Sequence, residues 1–295
     1  MEVSEMNVIL EKYHGLGNDY LVFDPNKNEL CLNEENIKLI CHRNFGIGSD
    51  GILMGPVFDG KSIQVRIFNP DGSEAEKSGN GVRIFAKYLK DAGYIQKNHV
   101  IFKTLGGEIE AYYLNEEGSR LKISMGTLSF WSDEIPVAGE RREVVNEEMT
   151  FRDTPYLVTC VSIGNPHCII LMEEISKELV CHIGRFSEAA PYFPNRINTL
   201  IMKVMDRTNI AIEIYERGAG YTLASGSSCC AAAGAAFKMG LTDPKCYVHM
   251  PGGTLEIEIC EDGRVMMTGD VCHVGKVTLG HTFSEKLRNG NPEPK

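Results

Sequence analysis

The sequence predicts an α/β protein built by internal duplication: two pseudo-symmetric domains, each a sheet wrapped around a central helix. Three pairs of matching segments, all 147 residues apart, carry that prediction. Ser62–Asn69 and Asn209–Glu216 both alternate apolar and polar residues, the period of a half-buried strand. Nine residues beyond each comes a serine followed by glycine, Ser78-Gly79 and Ser225-Gly226. Upstream, Gly17-Asn18 is matched by Gly164-Asn165. The expected domains are 8–127, completed by 274–284, and 128–273. The charged tail 285–295 is expected to be disordered.

The first half opens with strands over Val8–Tyr13 and Tyr20–Asp24 around a glycine turn. Glu34–Arg43 reads as a helix because Asn33 can cap it and Ile37, Ile40 and Cys41 share a face. The glycine-rich stretch Gly46–Gly51 must be a loop, followed by a short strand Ile52–Gly55 and the strand Ser62–Asn69. Gly81–Ala92 reads as a helix stopped by Gly93, with Val82, Phe85, Ala86 and Leu89 on one face. Strands Val100–Thr104, Gly107–Tyr113 and Arg120–Met125 close the half. The second half repeats the plan with strands Leu157–Ile163 and Cys168–Met172 around a turn, and a hairpin of Ile197–Met205 with Ile210–Tyr215. An alanine-rich helix Ser228–Met239, stopped by Gly240, then precedes strands Tyr247–Met250, Thr254–Cys260 and Arg264–Thr268. Gly106–Glu110 matches Gly252–Glu256 one residue off the main offset, which a small insertion or deletion explains.

Hydrophobic residues make up 43% of the chain and charged residues 24%, ordinary for a soluble globular protein. The net charge of −10 argues against nucleic acid or an anionic membrane as partner, since both call for a basic surface. No apolar run approaches the ~18 residues of a membrane span, and Met1–Asn7 carries no signal-peptide core. The ten cysteines are irregularly spaced and include no Cys-x-x-Cys. They are expected to be free, mostly buried thiols in a reducing cytoplasm, with no metal site.

Each Ser-Gly turn stands at the start of a helix, where unpaired backbone N–H groups and the helix dipole favour an anion. A serine there can equally be a plain cap. As a matched pair, the two turns favour a shared site for one carboxylate. Asn18, Asn69, Asn165 and Asn198 flank turns, where asparagine also serves conformation. Glu216-Arg217 offers both charges at a glycine-rich turn, suited to an ammonium and a carboxylate. A surface ion pair is the alternative. His167 beside Pro166 is either an oriented base or a satisfied polar residue.

The segments Tyr13–Tyr20, Asn69–Glu74 with Ser78–Gly81, Gly164–His167, and Glu216–Gly220 through Ser225-Gly226 resemble diaminopimelate epimerase, in order from about residue 8 to 280. The resemblance implies two pseudo-symmetric α/β domains with the active site in the cleft between them. It also implies an isomerase working without pyridoxal phosphate, metal or other cofactor, commonly a homodimer, acting on a small amino acid substrate in lysine and peptidoglycan biosynthesis. In that family two cysteines flank the substrate α-carbon, one removing a proton and the other delivering one to the opposite face. The matching positions here are Ser78 and Ser225. Carried over residue by residue, His167 supports the first and Glu216 the second. The α-carboxylate lies on Gly79-Asn80 and Gly226-Ser227, and Asn18, Asn69, Asn165, Asn198 and Arg217 hold the rest of the substrate. Tyr221 departs from the usual glutamate, and Cys229 from a usually smaller residue.

A thiol with an ordinary pKa near ~8.5 needs modest tuning to become a thiolate. A serine hydroxyl is far less acidic and needs an adjacent base merely to act. Three readings therefore stay open: an epimerase whose cysteines were changed to serine, a serine-using paralogue racemising or dehydrating another amino acid such as histidine, or an amino acid-binding protein without turnover.

Overall fold

The structure is a computed structural model that describes residues 8–60, 62–76 and 78–289. The chain divides into two compact units, Met1–Leu121 with Asp270–Lys295, and Lys122–Gly269. Strand Arg120–Thr127 pairs with Arg264–Asp270, and all but its first two residues fall in the second unit. Among the described residues there are five helices: α1 (Glu34–Cys41), α2 (Gly79–Asp91), α3 (Lys177–Ser187), α4 (Gly226–Lys238) and α5 (His281–Asn289).

In the first unit, strand Ile9–Gly15 lies between Cys272–Thr278 and Asn18–Phe23, antiparallel to both. Asn18–Phe23 runs parallel to Ile52–Asp59, which turns back into Ser62–Phe68. That strand runs parallel to His99–Thr104, itself paired with Gly107–Tyr113. The sheet curls so that α2 packs against Ile9–Gly15, Asn18–Phe23, Ile52–Asp59 and Gly107–Tyr113, and every α2 residue from Asn80 to Leu89 is buried. This is the central helix. On the other side α1 and Leu287 of α5 join Leu10, Leu21, Phe23 and Ile52 in a second apolar cluster.

The second unit repeats the plan. Glu147–Phe151, Thr154–Ser162 and Pro166–Leu171 are successive antiparallel strands. Pro166–Leu171 runs parallel to Asn198–Asp206, which pairs with Asn209–Glu216. That strand runs parallel to Lys245–Met250, which leads through Gly253–Ile259 to Arg264–Asp270. Helix α4 sits inside this sheet, buried from Ser228 to Ala236.

The registers show the duplication at single-residue precision. Leu21 faces Ile52 and Ile52 faces Phe68. The residues 147 positions on do the same: Cys168 faces Thr199 and Thr199 faces Tyr215. Gln64 faces Lys103, whereas Ala211 faces His249, one residue short of the offset. The small insertion or deletion read from the glycine pairs lies in that stretch.

Three expectations need correction. Helix α2 starts at Gly79 and α4 at Gly226, two residues earlier than the periodicity placed them, because Ser78 and Ser225 are the N-caps. Helix α3 was not anticipated, although Ser176 caps it by accepting from Leu179 N (3.2 Å) and Val180, Ile183 and Ser187 are buried on one face. Its Gly184 masks the pattern, and that glycine is required: a Cβ there would lie 2.3 Å from the Tyr215 ring. The tail expected to be disordered is helical over Glu285–Asn289, held by buried Leu287, whose carbonyl accepts from Asn36 Nδ2 at 2.9 Å. Residues 290–295 of that expectation lie outside the described residues.

Candidate active site

The paired half-sites start from paired turns. Gly17 and Gly164 take φ of +83° and +94°, the left-handed region that glycine adopts without strain. Each turn aims the following asparagine at the start of its unit's central helix. In the first unit Asn80 Nδ2 donates to Asn18 Oδ1 at 3.1 Å. In the second, Asn165 Nδ2 donates to Ser227 Oγ at 3.4 Å. The positions correspond under the repeat.

In the first half-site, the initial helical bond of α2 runs from Val82 N to Ser78 O (2.9 Å), leaving the Gly79 and Asn80 N–H groups outside the helical ladder. Ser78 Oγ accepts from Gly81 N at 3.1 Å and from the Tyr20 hydroxyl at 3.1 Å. Arg83, fully buried, donates to Asn80 Oδ1 at 2.6 Å and to Gly79 O at 3.2 Å. Asn18 is fixed from behind by Asp50, whose Oδ2 accepts from Asn18 Nδ2 at 2.9 Å. Asp50 and Asp19 both accept from Arg43. Burial would raise the Asp19 carboxyl, but hydrogen bonds from Lys12 and Arg43 outweigh it and hold it below the usual range. Asn69 donates to Ser73 Oγ at 3.0 Å and closes its own turn.

The second half-site has a different character. The first helical bond of α4 runs from Cys229 N to Ser225 O (3.1 Å), and the Ser225 side chain makes no cap bond. Its hydroxyl lies 3.5 Å from Ser227 Oγ and near enough to the Glu216 carboxyl to lower that group's proton affinity. Burial pushes the Glu216 carboxyl above its usual range, and the bond from Ser225 offsets part of that rise. His167 is fully buried, with Nε2 3.0 Å from Asn165 Oδ1 and Nδ1 without a hydrogen-bond partner. Burial, then the charge of Arg217, push it down to about 3, so the imidazole is neutral. Asn198 donates to Pro166 O at 2.8 Å and accepts from Arg217 N at 2.9 Å, which fixes the Pro166-His167 strand to the Glu216-Arg217 turn. Arg217 Nη1 donates to Asn195 O at 2.9 Å and the side chain is otherwise exposed.

Of the candidate residues, Asn18, Ser78, Gly79 and Asn80 thus gather at α2, and Asn165, His167, Glu216, Ser225, Gly226 and Ser227 gather at or beside α4. Asn69 and Asn198 spend their amides on local backbone and turn contacts. The two departures face elsewhere. Tyr221 donates to Glu213 at 2.9 Å under Lys177 of α3, and Cys229 is buried with Sγ 3.2 Å from Met250 Sδ. Sequence reasoning missed Tyr20, Asp50 and Arg83. Tyr20 sits in a strand where its ring reads as core, and Arg83 lies in an otherwise apolar helix; neither pattern signals a polar role. The ten cysteines form no disulfide.

Two units of this kind make up a fold that solved structures of other proteins share. A hydroxyproline epimerase structure from Agrobacterium vitis shares the fold with TM-score 0.64, covering 93% of this chain and 91% of that one at 12% identity. A methylitaconate-delta-isomerase structure does so with TM-score 0.66, covering 98% and 99% at 10% identity. The chain belongs to the diaminopimelate epimerase family, whose family model matches residues 10–131 and 159–274. It is 51% identical over 269 residues to "Diaminopimelate epimerase 2" of Nostoc sp., covering 91% of this chain and 94% of that one. Against the diaminopimelate epimerase of Synechocystis sp. it is 38% identical over 271 residues, covering 90% and 96%. The chain is of the isomerase class. No helix among the described residues is long and apolar enough to cross a membrane.

Proposed function

We propose that this chain inverts the α-carbon of an amino acid, converting LL- to meso-diaminopimelate without a cofactor, as a cytoplasmic homodimer serving lysine and peptidoglycan biosynthesis. The observation that carries the reading is the Ser225–Glu216 pair: a hydroxyl at a helix start beside a half-buried carboxylate whose proton affinity burial raises. The names of the relatives support the substrate.

On this reading both half-sites serve one substrate, whose α-carboxylate accepts from the N–H groups of Gly79-Asn80 and Gly226-Ser227. Ser225 Oγ takes the α-proton as Glu216 takes the hydroxyl proton, which a serine needs because it cannot ionise unaided. Ser78 delivers its proton to the other face. His167, neutral, supports Ser78, and Arg217 recognises the distal end, with Asn69 and Asn198 fixing the turns they close. Serine at both positions also favours a second reading, an amino acid binder without turnover.

The test is loss of the α-proton signal of LL- or meso-diaminopimelate in deuterated water, with calorimetric binding in parallel. Exchange by the unmodified chain supports a serine-using isomerase. Exchange only in the Ser78→Cys/Ser225→Cys double variant supports an isomerase with serine in place of thiols. Binding without exchange in either supports the binder. If neither protein binds or exchanges the compound, diaminopimelate is the wrong substrate.

A further inference from the structure

We propose that Tyr20 is a positioning residue for Ser78, its hydroxyl setting Ser78 as the proton-delivering member of the pair. This rests on the reading of Ser78 as a proton carrier.

A serine hydroxyl has one proton to donate and two lone pairs to accept. At Ser78 both lone pairs are taken, by Gly81 N–H and by the Tyr20 hydroxyl, each at 3.1 Å. The Ser78 proton is then the group left to point at a ligand. When the O–H bond breaks and the proton forms a C–H bond with a carbanionic α-carbon, the electron pair stays on Oγ. The same two donors are already aimed at that charge, and donors preorganised on a developing anion need no rearrangement as it forms. Ser225 lacks this arrangement: its hydroxyl faces an acceptor, Glu216, and makes no cap bond.

The phenol is placed by construction rather than by chance rotation. Tyr20 is 7% exposed, on a strand paired on both sides. Its ring passes over Gly51, where a Cβ would lie 2.6 Å from Tyr20 Cε1. Gly51 in turn is pinned by Leu21 N donating to its carbonyl at 3.1 Å. The glycine loop, whose chemical role the sequence left open, gives the ring its passage.

The test reads Ser78 without needing turnover. In Ser78→Cys, the introduced thiol should alkylate with a pH midpoint that Tyr20→Phe raises by about one unit, since a hydrogen bond to the charged form of a group favours that form. Iodoacetamide labelling with peptide mass spectrometry isolates position 78 from the other thiols, and exposed Cys31 is the internal reference. Gly51→Ala keeps the phenol but presses a methyl against both its ring and the Phe68 backbone carbonyl, 2.6 and 2.5 Å away, and should raise the midpoint in the same direction. An unchanged midpoint in Tyr20→Phe overturns the proposal, including when Gly51→Ala moves it. Failure to bind or exchange diaminopimelate, with the midpoint shift present, sinks the substrate reading and leaves Tyr20 in place. The reverse pattern does the opposite.

Discussion

Mild acid should destabilise the fold through His167. Its side chain is fully buried, one ring nitrogen faces Asn165 and the other has no partner. Burial, with Arg217 adding to it, pushes the imidazole from its ordinary 6.5 to about 3. The folded chain therefore keeps His167 neutral where the unfolded chain protonates it. The resulting stability is fully present above pH 6.5 and is lost as pH falls from there toward about 3. Each pH unit of that interval is worth about 1.4 kcal/mol, so the whole interval amounts to roughly 4–5 kcal/mol and the loss by pH 5 to about 2 kcal/mol. Urea unfolding at pH 7 and pH 5, on the native chain and on His167→Gln, isolates the effect because every other titrating group is common to both. The native chain should lose about 2 kcal/mol more than the variant across that span, with the m-value unchanged. Equal losses would refute the assignment of His167 as a buried neutral imidazole.

The two serines should behave differently when truncated. Ser78→Ala removes the cap bond to Gly81 N and should cost about 1 kcal/mol in chemical unfolding, whereas Ser225→Ala loses no cap bond and should cost less. Ser225→Ala should instead push the Glu216 carboxyl further up, because the one bond lowering it is gone; an NMR titration of the Glu216 side chain reads this directly. Gly184→Ala drives a methyl into the Tyr215 ring and should cost roughly 1–3 kcal/mol in thermal unfolding, with an unchanged midpoint counting against that close approach.

The repeat made most of this architecture legible. A matched offset constrains both halves at once, so Ser62–Asn69 and Asn209–Glu216 located two strands and the serines beyond them located two helix starts. Signals resting on one element alone fared worse. Helix α3 has a good cap and a buried stripe, yet Gly184 inside it argues locally against a helix; the reason for that glycine is Tyr215, a contact some thirty residues away in sequence. The part of α5 from Glu285 reads as disordered because its composition is polar, and buried Leu287 with its bond from Asn36 holds it. Within the half-sites, the residue types were readable and their pairings were not. Nothing in the order of residues says that Asn198 spends both ends of its amide on backbone, or that a strand tyrosine turns its hydroxyl to Ser78.

The duplication supplies shape to both half-sites, and substitutions at equivalent positions supply opposite charge. Ser78 and Ser225 correspond, and so do four neighbouring pairs at the same 147-residue offset. Tyr20 answers to His167, Asn69 to Glu216, Asn80 to Ser227 and Arg83 to Cys230. In the first unit these choices give a donor onto Ser78 and a buried guanidinium at the start of α2. In the second they give a half-buried carboxylate beside Ser225 and a buried thiol where the guanidinium stood. A serine surrounded by donors loses a proton more readily; a serine backed by a carboxylate passes one on more readily. Stereoinversion needs one group of each kind acting on opposite faces, and a perfectly symmetric repeat would provide two of the same. On the proposed stereoinversion, the divergence of these few residues, rather than the serines themselves, gives the pair its direction.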